Sequence, residues 1–86
     1  MEMIMTPILY FGRVGERLGA EGRLDLPAEG LPVGEIRRLL SEQDEVAADA
    51  LLRPDVRASV DLVVVGEDAL ARPGQEIAFF SLFSGG

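Results

Sequence analysis

Residues 72–86 read RPGQEIAFFSLFSGG. Arg72-Pro73-Gly74-Gln75 puts proline and glycine at the two central positions of a type II turn, where a fixed φ and then a positive φ are needed. The run EIAFF over 76–80 follows, apolar on both faces at period two, and predicts a last strand covered on both sides. Ile77 and Phe79 share one face and read as core. Residues 81–86 (SLFSGG) lead away from that strand, and at roughly 3.3–3.6 Å per residue they reach about 20 Å when extended. Gly85-Gly86 ends the stretch on a carboxylate with no neighbouring side chain. That suits a tail entering a narrow channel, since glycine lets another backbone approach closely. A frayed terminus would be equally rich in small residues.

Working back from this stretch, PILYF over 7–11 reads as a second strand apolar on both faces, with Ile8 and Tyr10 on one side and Leu9 and Phe11 on the other. Two such strands at opposite ends of the chain belong side by side in the middle of a sheet, which anchors the last strand in the core. Between them, GRVGERL over 12–18 predicts a short helix stopped by Gly19. RLDL over 23–26 alternates as a half-buried strand closed by Pro27. Val33, Ile36, Leu39 and Leu40 fall on one face of an amphipathic helix, with Pro32 at its start and Glu35 near the positive end of its dipole. Val46, Ala50 and Leu51 predict a further turn or two before Pro54, and Glu42, Asp44 and Glu45 read as a solvated helix end. Residues 56–65 alternate and then become wholly apolar, predicting one strand half exposed at its start and buried at its end. Gly66-Glu67-Asp68 reads as a turn. The fold class is α+β, a sheet covered by one main helix in a single domain over 1–86, with 81–86 as its tail.

The composition narrows the chemistry. With no Cys, His, Lys or Trp, the chain has no thiolate, imidazole base, Ser-His triad or lysine Schiff base. It also lacks the GxxxxGK[ST] phosphate loop. These absences argue against an autonomous enzyme and against a Cys- or His-based metal site. A net charge of −7 argues against nucleic acid as a partner and suits either a basic groove on another protein or simple solubility. Apolar runs such as 62–65 are far too short to cross a bilayer, and the first five residues carry no basic group of the kind that opens a signal peptide, so a cytoplasmic location is expected.

With these elements in place, the chain resembles the ubiquitin-like sulfur carriers of the β-grasp fold, and among them the small subunit of molybdopterin synthase. The resemblance rests on ILYFGRVGERLG (8–19), VGEIRRLL (33–40) and RPGQEIAFFSLFSGG (72–86). Its most specific part is AFF, four residues, then Gly-Gly. The resemblance implies a β-grasp mixed sheet in which Gly86 is adenylated by a partner resembling the ubiquitin-activating enzymes, at the expense of ATP, and converted to a thiocarboxylate. Gly85 is then its unhindered neighbour. The loaded tail inserts into the large subunit of the synthase, and Phe11 and Phe80 match positions on the partner-facing apolar surface. No cofactor bound by the chain itself is implied. Ser81-Leu82-Phe83-Ser84 stands where relatives often carry proline, and Asp61 where they often carry Asn.

The residues agree with that chemistry. A terminal carboxylate, ionised above pH 3.3–3.7, is a poor electrophile until it is given a leaving group, so activation has to come from outside. Leu82 and Phe83 lie beyond the last strand and read as interface. Phe11 and Phe80 are open to either core or interface, and Arg13 and Arg72 are candidates for pairing with acids on a partner. Two alternatives share the terminal Gly-Gly: a protein modifier linked to lysines of its targets, and a sulfur carrier for thiamine or another product.

Overall fold

The computed structural model describes residues 2–81. β1 (Met3–Phe11) begins four residues earlier than PILYF suggests. Seven of its nine residues pair antiparallel with β2 (Glu21–Pro27), from Met3 opposite Pro27 to Leu9 opposite Glu21, so the residues ahead of Pro7 are strand as well. Thr6 is buried and satisfies its hydroxyl by donating to the Ile4 carbonyl at 2.9 Å. α1 (Gly12–Leu18) stops at Gly19, whose φ of 92° is open to glycine and costly for other residues, and whose N–H bonds the Gly15 carbonyl.

α2 (Val33–Ser41) buries Val33, Ile36 and Leu40 as the periodicity predicts, while Leu39 is only half-buried. Ser41 takes the inward position instead and donates its hydroxyl to the Arg38 carbonyl at 2.7 Å. α3 (Glu45–Leu51) is N-capped by Asp44, whose carboxylate accepts from the Ala47 N–H at 2.7 Å. Val46 lies on the outer face, 49% exposed, and Ala47 faces inward with Ala50 and Leu51.

The single strand expected over 56–65 is a hairpin. β4 (Val56–Val60) turns at Asp61-Leu62 into β5 (Val63–Val65), with Val60 opposite Val63. Both turn residues have positive φ, 50° and 70°, as a two-residue hairpin turn requires. Its burial is the reverse of that expected: Val56, Ala58 and Val60 are buried, whereas Val63 and Val64 are each 62% exposed. Two short strands, β3 (Leu31–Pro32) and β6 (Leu70–Ala71), form a separate antiparallel pair beside the start of α2. The type II turn at 72–75 is present, closed by the Gln75 N–H on the Arg72 carbonyl at 3.1 Å, with Gly74 at φ 93°.

β7 (Ile77–Ser81) completes a five-stranded sheet of order β2-β1-β7-β4-β5. It runs parallel to β1 and antiparallel to β4, so the two end strands meet in the middle of a mixed sheet. One core gathers Ile8, Tyr10, Ile77 and Phe79 from the sheet with Val14, Val33, Ile36, Leu40 and Leu51 from the helices. Leu9, Phe11 and Phe80, at the alternate positions, are outside it. The sheet is therefore covered on one face, where the sequence pattern predicted cover on both. The reason is geometric: all three helices contribute to the same core, which leaves no element for the other face.

Candidate functional site

β7 runs to Ser81, one residue later than expected. Gly85, Gly86, Leu82 and Phe83 lie outside the described residues. What the structure places is the root from which they leave. Ile77 to Phe80 are in register with Ile8 to Phe11 on one side, and Val56 lies opposite Ser81 on the other. With ladder bonds along both edges and Ile77, Ala78 and Phe79 fully buried, this strand is firmly held against local opening. Ser81 donates its hydroxyl to the Asp55 carboxylate, which ties the end of β7 to the loop before β4. That bond holds the Asp55 carboxyl below the usual carboxylate range against a small opposing desolvation, with Arg53 and Arg13 adding attraction.

Phe11 and Phe80 are directly opposite each other in the β1–β7 pair and point to the uncovered face. Phe11 is 50% exposed and Phe80 partly so. Leu9 and Met5 continue the apolar surface along β1, whereas Arg57 and Ser59 of β4 stand between β7 and Val64 of the hairpin. Contiguous exposed apolar surface of this kind is typical of protein-binding sites. Leu62, at the hairpin tip, is 81% exposed in a left-handed conformation that bulky side chains disfavour. Asp61 stabilises that turn from its side: its backbone N–H donates to the Glu76 carbonyl at 2.8 Å and its carboxylate accepts from the Glu76 N–H at 2.9 Å.

The two arginines singled out in the sequence are separated. Arg13 shares a cleft with Ser81, Asp55 and Arg53, whereas Arg72 sits at the opposite end of β7, before the turn. Asp55, Arg53 and Leu62 carry no pattern that marks them in the sequence. Their relevance comes from strand pairing, although the Asp61-Leu62 step, polar then apolar inside an alternating run, is the one local trace of a turn. Among the described residues no group of three or more Asp or Glu converges to hold a metal ion, and no helix is long and apolar enough to cross a membrane.

The ThiS family model matches residues 8–86. SAMP1 of Haloferax volcanii superposes with a TM-score of 0.72 at 19% identity, over 96% of this chain and 100% of that one. The HVO 2177 protein of the same organism gives 0.72 at 18% identity, over 98% of this chain and 88% of that one. A Pyrococcus furiosus protein provisionally named molybdopterin converting factor, subunit 1, gives 0.69 at 22% identity, over 91% and 97%. At these identities the structural likenesses show the fold, a ubiquitin-like β-grasp. No curated protein matches the sequence.

Proposed function

The chain belongs to the ThiS family of ubiquitin-like sulfur carriers, and from that membership we propose that it carries sulfur on the carboxylate of Gly86 for molybdopterin synthesis. The observation that carries the reading is the position of β7. A strand bonded on both edges and tied at Ser81 gives a short tail a fixed point of departure, so that docking of the folded domain delivers the end of the chain to a defined depth.

In this reading a Gly86 carboxylate oxygen attacks the α-phosphorus of ATP held by a ubiquitin-activating-like adenylyltransferase, and pyrophosphate leaves. A sulfur nucleophile then displaces AMP from the acyl carbon and leaves a thiocarboxylate. Gly85 supplies the clearance that a threaded tail needs. The loaded tail enters the large subunit of molybdopterin synthase, where sulfur passes to a pterin precursor. Phe11 and Phe80 provide the apolar contact with Leu82 and Phe83 beyond them, and the chain serves as the non-catalytic carrier, working in the cytoplasm. The provisional name of the Pyrococcus protein supports the molybdopterin branch.

Intact-mass measurement after incubation with the activating enzyme, ATP and a sulfur donor tests this. Replacement of one oxygen by sulfur, lost on deletion of Gly86 with unfolding unchanged, is the expected result; an unaltered mass overturns it. A second reading draws on the modifier named among the similar folds, small archaeal modifier protein 1. A modifier yields a ladder of covalent adducts on affinity capture from cells, whereas a synthase carrier recovers one stoichiometric partner.

A further inference from the structure

Four of the eight arginines are held by carboxylates of the chain itself: Arg17 by Asp49, Arg23 by Glu21, Arg37 by Glu67, and Arg38 by Glu35 and Glu42. Among the described residues Arg13, Arg53, Arg57 and Arg72 make no ion pair. In a chain of fifteen acids and eight arginines, three of these four gather at one place. A cleft of about 260 Å³ is lined by Arg13, Arg53 and Ser81, over apolar Val14 and Val56. A neighbouring cleft of about 300 Å³ shares Arg53 and adds Arg57. Arg57 lies opposite Phe80 on β4, and Arg13 follows Phe11 by two residues, so the cationic arc continues directly from the apolar face. With the Arg17–Asp49 and Arg37–Glu67 pairs set aside, the two clefts are lined by Arg13, Arg53 and Arg57 against Glu16 and Asp55, one positive charge in excess on a molecule of net charge −7.

We propose that Arg13, Arg53 and Arg57 form a basic collar around the root of the tail, which docks against acidic side chains bordering the channel of the adenylyltransferase that activates the tail. The collar rests on the reading that the tail enters a partner, and adds the chemistry of the channel mouth. Three guanidinium groups spread over two clefts fit several carboxylates on a protein rim better than one small anion, which would occupy a single cleft. Exposed ion pairs contribute little one by one, but an array of them speeds encounter and sets orientation. The collar therefore acts on association, leaving the chemical step alone.

The test compares the wild-type chain, R13E/R53E/R57E and, as a control remote from the collar on β2, R23E in ATP–pyrophosphate exchange with the adenylyltransferase of the same organism. The triple variant is expected to raise KM for the carrier about ten-fold or more, with kcat within about two-fold, and to flatten the dependence of KM on salt. R23E is expected to match wild type. An unchanged KM in the triple variant, or an equal rise in R23E, overturns the collar. If the triple variant unfolds, R13Q/R53Q/R57Q takes its place. A titration of the isolated chain with poly-glutamate, followed by NMR, is independent of the enzyme. Shifts confined to Arg13, Arg53, Arg57 and their neighbours support the collar, and shifts spread equally over Arg23 and Arg72 overturn it. Absence of exchange with the wild-type chain strikes at the carrier reading, and the collar then stands or falls on the titration.

Discussion

Phe11 and Phe80 lie side by side across the parallel pairing of β1 and β7, on the face that no helix covers. Each is followed by structure that bears on the tail: Phe11 by α1 with Arg13, Phe80 by Ser81 and the tail itself. Phe11 is half exposed, so Phe11→Ala should cost no more than about 1–2 kcal/mol of unfolding free energy, while Phe80→Ala, at the more covered of the two rings, should cost about 2–3 kcal/mol. Under the proposed function, binding of these variants to the large subunit of a molybdopterin synthase should weaken about ten-fold or more, as for aromatic anchors at the centre of an interface. Urea unfolding and titration calorimetry on the same variants separate the two effects. A large loss of stability with unchanged binding would place both rings in the core.

The elements that periodicity could reveal are those whose partners lie within a few residues. α2 and the turn at 72–75 follow from spacing alone, and β1 and β7 from their double-faced apolar pattern. The hairpin of β4 and β5 does not. Residues 56–65 alternate without a glycine, and the turn at Asp61-Leu62 is held by bonds from Glu76, fifteen residues away from Asp61. The open face was hidden for a similar reason, since period-two apolar residues on both sides look the same whether the second side is covered by a helix or left for a partner. Ser81 and Asp55 meet only because β7 pairs with β4.

Arg37 is the clearest case of a residue whose role is set by distant neighbours. Its side chain is only 12% exposed, and its guanidinium lies 5.3 Å from the Phe79 ring centroid. It donates to the Leu51 carbonyl at 2.7 Å and the Val56 carbonyl at 3.0 Å, and grips Glu67 through two nitrogens at 2.9 and 3.1 Å. It thereby joins α2, the end of α3, β4 and the 66–69 turn. Arg37→Ala leaves two carbonyls without their donor and removes charge-assisted bonds, so a loss of about 2–4 kcal/mol is expected. Arg37→Lys should recover less than half, because one ammonium cannot reproduce the planar fork. Denaturant unfolding of the two variants checks both values.

Leu62 occupies a left-handed conformation, φ 70°, with 81% of its surface exposed. Such a conformation costs a non-glycine residue about 1–2 kcal/mol, and burial in the domain does not offset it. Leu62→Gly should therefore stabilise the chain by about 0.5–1 kcal/mol after the extra entropy of glycine in the unfolded state is included. If this side chain belongs to the docking face with Phe11 and Phe80, the same substitution weakens the synthase complex while raising the melting temperature. Opposite signs in the two measurements are the expected outcome. Destabilisation by Leu62→Gly would show that the side chain packs in the folded chain.

Acid stability follows from three carboxyls whose pKa values are lowered: Asp55 by the Ser81 hydroxyl, Asp49 by Arg17, and Glu35 by Arg38. Each binds its proton more weakly folded than unfolded, so the unfolded chain takes up more protons on acidification. The stabilisation they provide is present above the unfolded values near pH 4 and is lost as pH falls through the folded ones. At the other end Tyr10 is raised, first by burial and then by Asp44, so its contribution is present below about pH 10 and lost as pH rises through its folded value. With no histidine in the chain, the melting temperature should be flat from about pH 6 to 8 and fall below about pH 5. Asp55→Asn keeps an acceptor for the Ser81 hydroxyl and removes only the charge. That variant should shrink the acid-side fall, and added salt should shrink it further by screening the exposed Asp49–Arg17 pair. Melting curves across pH for wild type, Asp55→Asn and Tyr10→Phe measure both limbs. An acid limb as steep in Asp55→Asn as in wild type would remove Asp55 from the account.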